Sequence, residues 1–292
     1  MGEKINYLKA VLDSSKYTVV LCGSGILAES GCRTFHDQDY AYEIEQNYGR
    51  SPEDIFSSAY YMTRPDSFFD FYKAEVLKKD WEVPESCYAL KEMEEAGKIQ
   101  CILTDNIFDF EKRAGCRHVL SLRGSIYQNR CPKCGQTYSM EYIRDSKKAP
   151  RCQGCGNVVR PGDTLYGEQL DSHLTSLAAT EVEKADVLLL IGTRLSSSVY
   201  SNYVKFFGGE QLVVIHEQEH YTDVKADMVI YGSPRDILSE LGYALKFMRL
   251  ILLIMTACFN IIGFVIGCII VACFLIFNRT ITGRSYIKIN KN

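Results

Sequence analysis

The amino-acid sequence predicts an α/β fold in which a parallel sheet carries helices on both faces. Short apolar runs rich in β-branched residues alternate with stretches of helical periodicity, the pattern of buried parallel strands joined by crossover helices. A glycine-rich turn follows the first run, and two closely spaced cysteine pairs interrupt the pattern further on. The predicted strands cover residues 18–22, 99–103, 118–122, 187–191, 212–215 and 228–230.

The first helix and strand lead directly into the glycine-rich turn. Residues 3–15 have apolar side chains at helical spacing, the strand 18–22 follows, and Gly23 and Gly25 come next. Glycines at this point let the backbone approach a pyrophosphate and direct the next helix towards it, as in a Rossmann-like sheet. The alternative is an ordinary strand-to-helix turn that needs glycine only for positive φ.

Four cysteines form two Cys-x-x-Cys pairs, Cys131 with Cys134 and Cys152 with Cys155. A glycine follows each pair, so each segment is turn-shaped and its two thiolates can face one ion at about 2.3 Å. Four sulfur ligands leave no open coordination position, so such an ion stabilises the fold and takes no part in catalysis. Two local disulfides or a redox dithiol are the alternative. We predict a structural zinc in a small zinc-ribbon module of about residues 126–160, inserted into the sheet domain.

A segment near the C-terminus has the composition of a membrane span. Residues 250–277 are 28 consecutive residues without a charge, and a helix needs about 20 residues to cross a hydrocarbon core. A buried core helix is the alternative, but such helices are shorter and carry a polar face. We therefore predict a domain of residues 1–245 and a tail, residues 246–292, with one transmembrane helix and a short basic end.

The cysteines and the charges indicate the surroundings of the large domain. Thiolate zinc ligands and five further cysteines before residue 246 fit a reducing compartment, and no secretory signal precedes the first strand. We expect a single-pass, tail-anchored membrane protein with its large domain in the cytosol. The tail has six basic and no acidic side chains, so residues 1–245 carry a net charge of −9 within a total of −3. No nucleic-acid partner is expected for so acidic a domain.

Several motifs, in order, resemble those of the sirtuin family. Residues 23–31, GSGILAESG, are similar to the family's GAGIS-x-x-SG loop, and residues 104–108, TDNIF, to its TQNID motif. Further landmarks follow in the family's order over about residues 5–245: RAG at 113–115, RGS at 123–125 in place of HGS, YGE at 166–168 and GTR at 192–194 in place of GTS. The resemblance implies a zinc- and NAD-binding protein that removes acyl groups from lysine in a protein or peptide partner.

The resemblance also implies site residues, position by position. The implied cofactor-binding residues are Gly23, Gly25, Ala28, Phe35, Asn106, Gly192 and Thr193. Asn106 would keep a ribose- and nicotinamide-side contact and counts among the catalytic residues, and Phe35 would screen the ribose carbon from water. Residues 166–168 would line a groove for an extended peptide.

Arg123 stands at the position of the family's catalytic histidine. That histidine is a general base for a ribose hydroxyl, and catalysis of this kind contributes about 10²–10⁴-fold. A guanidinium stays protonated and cannot accept the proton. Other ligand-contacting positions differ from the family as well: Thr34, His36, Asp105, Phe108, Arg194, His216 and Gln218. The expected activity is therefore NAD-dependent deacylation with impaired turnover.

Two other functions stay open beside impaired deacylation. One is a membrane-anchored pseudoenzyme that binds NAD or ADP-ribose, and the other is mono-ADP-ribosyl transfer. Arg123 and Arg194 suit an anion such as ADP-ribose; the alternative is that they pair with Asp105, Glu168 or another acid, or face solvent. His36 is a candidate replacement base, with an exposed or packing role as its alternative.

Overall fold

The computed structural model describes residues 1–35, 37–78 and 80–243, and a six-stranded parallel sheet lies at their centre. The strands in this part of the chain are β1 Thr18–Cys22, β2 Cys101–Thr104, β3 Val119–Ser121, β4 Asn129–Arg130, β5 Thr137–Tyr138, β6 Val187–Ile191, β7 Gln211–His216 and β8 Met228–Tyr231. The large sheet has the order β3-β2-β1-β6-β7-β8, and every adjacent pair is parallel. The predicted parallel sheet is confirmed, with each strand within two residues of its predicted bounds.

Helices cover both faces of this sheet, as predicted. The helices are α1 Gly2–Ser14, α2 Ser24–Glu29, α3 Gln38–Tyr48, α4 Pro52–Ile55, α5 Ser58–Thr63, α6 Pro65–Phe71, α7 Glu85–Glu95, α8 Phe110–Ala114, α9 Met140–Arg144, α10 Ser172–Lys184, α11 Ser201–Val204 and α12 Pro234–Leu241. Successive strand residues point to opposite faces. On β1, Val20 and Cys22 therefore pack in one core with α1, α2, α7 and α12, whereas Val19 and Leu21 pack in the other with α10 and α11.

Helices α3 to α6 and the π-helical turn Tyr72–Val76 form an aromatic-rich layer between β1 and β2 in the chain. Phe68, Phe69 and Tyr72 are fully buried, and their rings lie 5.1 to 6.1 Å apart between centroids. Ring contacts of this kind add about 0.5–1.5 kcal/mol each beyond burial of area. The layer is therefore a closely packed aromatic cluster.

The predicted transmembrane helix, about residues 250–277, lies outside the described residues, as does His36. Within the ranges that the structure describes, no helix is both long enough and apolar enough to cross a membrane. Residues Met1–Tyr243 form one compact unit, which ends two residues before the predicted domain boundary. The membrane tail stays a prediction from the sequence.

Candidate functional site

The four predicted zinc ligands lie together in the inserted module. The Sγ atoms of Cys131 and Cys155 are 3.4 Å apart, those of Cys134 and Cys152 are also 3.4 Å apart, and all four lie within 4.8 Å of one another. Disulfide sulfurs are about 2.05 Å apart. The edge of a ZnS₄ tetrahedron with Zn–S bonds of about 2.3 Å is about 3.8 Å. The cluster therefore fits a structural zinc ion, and the four thiols are free of disulfides.

Matching backbone hydrogen bonds shape the two cysteine turns. The N–H of Cys131 donates to the carbonyl of Gln136 at 2.8 Å, and the N–H of Gly135 donates back to Cys131 at 2.9 Å. In the second turn, Gly156 donates to Cys152 at 2.8 Å. Gly135 and Gly156 have φ values of 77° and 72°, a region that favours glycine. The glycines that follow each cysteine pair thus let the chain fold back and place two sulfurs on one side.

The strand order reverses between β1 and β6, and glycines pack backbone against backbone at this switch point. The N–H of Gly25 donates to the carbonyl of Gly192 at 2.8 Å. A Cβ at Gly25 would lie 2.6 Å from Gly192 Cα, and one at Gly23 would lie 2.4 Å from Thr193 Cβ. Neither Gly23 nor Gly25 has a positive φ, so close approach explains both residues. Open α/β sheets bind ligands at such switch points.

A cavity of about 830 Å³ lies at the carboxyl ends of the strands beside this switch point. Ligand sites typically measure about 300–1,000 Å³. Of the predicted cofactor residues, the cavity is lined by Gly25, Ala28, Phe35, Asn106, Gly192 and Thr193. Gly23 lies next to this lining, against Thr193. Arg123 lines the cavity as well, so the structure brings the predicted site residues together.

Buried neighbours hold the Asn106 side chain in one orientation. Its amide nitrogen donates to the Glu111 carboxylate at 2.6 Å and to the Thr104 hydroxyl at 3.0 Å, and its oxygen accepts from the Phe108 N–H at 2.8 Å. The Thr104 hydroxyl also donates to Glu111 at 2.9 Å. Burial raises the pKa of Glu111 to about 6. This network fixes the loop after β2 on both sides of Asp105.

Arg123, the second residue after β3, turns towards a neighbouring loop. Its guanidinium donates to the Thr164 carbonyl at 3.4 Å and lies over the Tyr166 ring, 5.6 Å from the centroid. Glu168 forms its ion pair with Arg160 instead. Among the described residues, none forms a direct ion pair with Arg123. The predicted alternative in which Glu168 neutralises Arg123 is therefore wrong.

Asp105 is the first residue after β2 and lines the same cavity as Arg123. Burial raises the pKa of Asp105 to about 6, and the positive charge of Arg123 opposes that rise. A carboxyl group with this pKa is ionised at neutral pH and accepts a proton readily. From the sequence, Asp105 was identified only as a difference from the family motif and as a possible ion-pair partner for an arginine.

The cavity wall beside Asn106 is apolar. Phe108 is only 7% exposed and stacks on Phe110, with the centroids 5.5 Å apart and the rings inclined by 22°. Phe108 thus stands where the family's TQNID motif has its aspartate, and its ring lacks the carboxylate that accepts a hydrogen bond from an amide. On the opposite wall, Phe35 packs on Phe56 and Phe71 at 5.5 and 5.7 Å.

The other end of the cavity is more polar. Arg194 is exposed there, and His216 is buried with its Nε2 atom 3.0 Å from the Asp223 carboxylate. Asp223 also accepts from the Tyr231 hydroxyl at 3.0 Å. His216 is therefore held by its own neighbours, and no acid among the described residues forms an ion pair with Arg194.

Sequence reasoning missed Glu111, which is fully buried and anchors Asn106. The segment FEKRA around it reads as a polar helix turn, so no apolar pattern marked the residue as buried. A buried asparagine needs hydrogen-bond partners for its amide, and the acid five residues after Asn106 was the one sequence feature that could have identified Glu111 as that partner.

Comparison with known proteins gives one consistent result. The model of the Sir2 family matches residues 23–201. The NAD-dependent protein deacetylase of Clostridium perfringens is 33% identical over 241 residues, which cover 82% of this chain and 99% of the relative. NAD-dependent protein deacylase 1 of Archaeoglobus fulgidus is 30% identical over 245 residues, with 82% and 96% covered.

Solved structures agree with the sequence relatives. The crystal structure of a Sir2 homolog–NAD complex superposes with a TM-score of 0.73 at 28% identity, covering 83% of this chain and 94% of that one. The family model spans more than half of the chain, and the relatives align over nearly their whole lengths. This chain belongs to the Sir2, or sirtuin, family.

Proposed function

We propose that this chain is an NAD-dependent protein deacylase that removes acyl groups from lysine side chains with reduced turnover. The observation that carries the proposal is the cavity at the switch point, which gathers the glycine turns, Asn106 and Phe35 around one space. Relatives that align over nearly their full lengths are NAD-dependent protein deacetylases and deacylases. When NAD is bound, it supplies the ADP-ribose that accepts the acyl group.

The chain's own residues account for binding and for exclusion of water. The glycine turns at Gly25 and Gly192 pack backbone against backbone and line the cavity, where the pyrophosphate would lie as in other switch-point sites. Asn106, held by Glu111, presents a fixed edge to the ribose side. Phe35, packed in its aromatic cluster, screens the reacting carbon from water.

The acylated partner is a lysine in an extended peptide. Tyr166, Gly167 and Glu168 line the cavity. Tyr166 already uses both of its backbone groups, accepting from Ser58 and donating to Phe56 at 3.0 Å each. A peptide that enters here therefore pairs with the residues that follow Tyr166, and its acyl group reaches the cavity beyond.

Arg123 explains the reduced turnover. Its guanidinium cannot accept a proton, and it is directed towards Thr164. The test is incubation of the full chain with NAD and acetylated, longer-acylated or unmodified peptides, followed by measurement of nicotinamide and deacylated peptide. We expect slow, acyl-dependent nicotinamide release that rises in Arg123→His. Wild-type turnover that equals or exceeds that of Arg123→His would contradict the impairment.

A membrane-anchored reader of ADP-ribose is the second candidate function, and the exposed Arg194 at the polar end of the cavity favours it. Calorimetric titration with NAD and with ADP-ribose separates the two candidates. Tighter binding of ADP-ribose that weakens about tenfold in Arg194→Ser supports the reader. Equal or tighter binding of NAD supports the enzyme. Radiolabel transferred from NAD to protein would instead support mono-ADP-ribosyl transfer.

Membrane anchoring through residues 250–277, with the large domain in the cytosol, is part of the proposal. The support is the uncharged segment itself. Replacing Ile262 and Val265 by arginine costs about 2.5–3.5 kcal/mol each at the centre of a span. We expect the full chain to resist alkaline extraction from membranes and the double variant to be released. Val224→Arg, at a side chain that is 87% exposed, is the control. Complete extraction of the unchanged chain would contradict anchoring.

A further inference from the structure

Asp105 and Arg123 follow adjacent strands of the sheet. Thr104 and Ser121 are partners across β2 and β3, so Asp105 comes one residue and Arg123 two residues beyond that pair. Neighbouring strands are about 4.8 Å apart. Both side chains line the same cavity. Arg123 stands at the position of the family's histidine, and the carboxyl group of Asp105 thus follows the neighbouring strand.

Arg123 leaves this carboxyl group open to the cavity. The guanidinium is bonded to the Thr164 carbonyl and lies over the Tyr166 ring. Within the described ranges, no direct ion pair joins Arg123 to Asp105. The positive charge is near enough to favour the ionised form of Asp105 without blocking its oxygens.

Two other acids that line the cavity already have partners. Glu75 accepts hydrogen bonds from the Tyr40 and Tyr48 hydroxyls at 2.8 and 2.9 Å. Glu168 is held in its ion pair with Arg160. A carboxylate that is fully used by its own neighbours is a poor acceptor for a substrate proton.

The remaining titratable groups in the described part of the cavity do not fit either. Burial raises the pKa of Cys32 to about 11, and burial also raises the pKa of Tyr166. His216 and Glu217 stand at the end of β7, which two strands separate from β2, or about 14 Å. Among the described residues that line the cavity, Asp105 is the carboxyl group beside Arg123.

Four groups face Asp105 from the elements packed around it. Arg123 follows β3, Cys22 ends β1, Tyr200 precedes α11, and Glu111 belongs to α8. Of these, Arg123 alone carries a positive charge. Burial by these neighbours raises the pKa of Asp105 to about 6, close to that of an ordinary imidazole.

We propose that Asp105 is the proton acceptor of this enzyme, in place of the family's histidine; this inference rests on the proposed deacylation. Asp105 takes the proton of a ribose hydroxyl as that hydroxyl's oxygen forms a bond to the acyl carbon. Asp105 then gives the proton to the lysine nitrogen when the bond between that nitrogen and the acyl carbon breaks. The acyl oxygen, which took the place of nicotinamide on the ribose carbon, stays there as a hydroxyl. One water molecule adds to the acyl carbon to complete the ester and releases its remaining proton to solvent, so water is the third reactant beside NAD and the acylated lysine.

The experiment uses the full chain with NAD and acetylated peptide and measures nicotinamide release and deacylated peptide separately. We expect Asp105→Asn to bind NAD and release nicotinamide as before but to lose about 10²–10⁴-fold in deacylated product. Histidine at the neighbouring position restores a base, so Arg123→His combined with Asp105→Asn recovers product. Asp145→Asn, at an exposed aspartate of the zinc module, stays at the wild-type rate.

Asp105→Glu keeps a carboxyl group if the asparagine variant folds poorly. We expect it to retain at least a tenth of the product rate, with a rising pH limb displaced from the wild-type midpoint near pH 6. Product formation by Asp105→Asn within threefold of wild type, or no rescue by Arg123→His, would overturn the role of Asp105 and leave deacylation standing. A wild-type chain that neither releases nicotinamide nor deacylates overturns both.

Discussion

The zinc module and the reaction end of the cavity differ in how many residue types their positions allow. The reaction end here means Asp105, Asn106, Phe108 and Arg123. In the module, the metal site requires cysteine at four positions, and the left-handed backbone at Gly135 and Gly156 favours glycine. At the reaction end, the buried Thr104 and Glu111 hold the loop and Asn106 is kept, whereas Asp105, Phe108 and Arg123 differ from the family motif. A loop that is fixed by buried hydrogen bonds can therefore keep its conformation while the side chains that line the cavity change.

Cys152→Ser is expected to have the largest effect, because it removes one of four metal ligands. Structural zinc sites contribute about 10–16 kcal/mol in small peptides. We expect the zinc content to fall from one ion per chain to near zero and the thermal transition of the domain to drop by more than 10 °C. Elemental analysis and calorimetry measure this. Cys32→Ser, outside the cluster, should keep its zinc. A full zinc content in Cys152→Ser would contradict the four-sulfur site.

Gly25→Ala tests the switch point, where space alone demands glycine. The new methyl group would lie 2.6 Å from Gly192 Cα, so one backbone must move. We expect a loss of about 2–3 kcal/mol in unfolding free energy and at least tenfold weaker NAD binding. Gly208→Ala is the matched control, since its Cβ would meet nothing within 4 Å. Equal NAD affinity in both variants would place the pyrophosphate elsewhere.

Asp105→Asn tests whether the buried carboxyl group at the reaction end lowers the free energy of unfolding. The folded-state pKa of Asp105, about 6, lies above the ordinary value of 3.8. The unfolded chain therefore ionises first, and stability falls as pH rises from about 4 to 6. We expect the asparagine variant to gain on the order of 1–2 kcal/mol relative to wild type above pH 6 and nothing below pH 4. Urea unfolding across this range measures the difference. A pH-independent difference would mean that Asp105 does not titrate there.

Arg123→Gln should have the smallest effect. The variant removes the positive charge that opposes the raised pKa of Asp105. We expect the midpoint of the pH dependence described for Asp105 to move upwards by less than one unit, with little change in stability at pH 4. The same urea series detects this shift. A downward shift would show that Arg123 does not act on Asp105 by its charge.

The sequence was sufficient for features that rest on spacing or on continuous apolar runs. Strand Val187–Ile191 has the predicted bounds because a run of five apolar residues has the length of a strand buried on both faces and is too short for most helices. The cysteine cluster was predictable because Cys-x-x-Cys turns have one common geometry. The direction of Arg123 was not, since it depends on a carbonyl 41 residues away. The burial of Glu111 depends likewise on packing that no local pattern records.

The hydrogen bonds between Thr104, Asn106 and Glu111 have a consequence for how this enzyme can be redesigned. They secure the main chain before and after position 105, so a single codon there can exchange one proton-carrying group for another without displacing its neighbours. Position 105 is thus a suitable place for glutamate, histidine or an unnatural acid, and for testing whether the group there sets the pH dependence of deacylation.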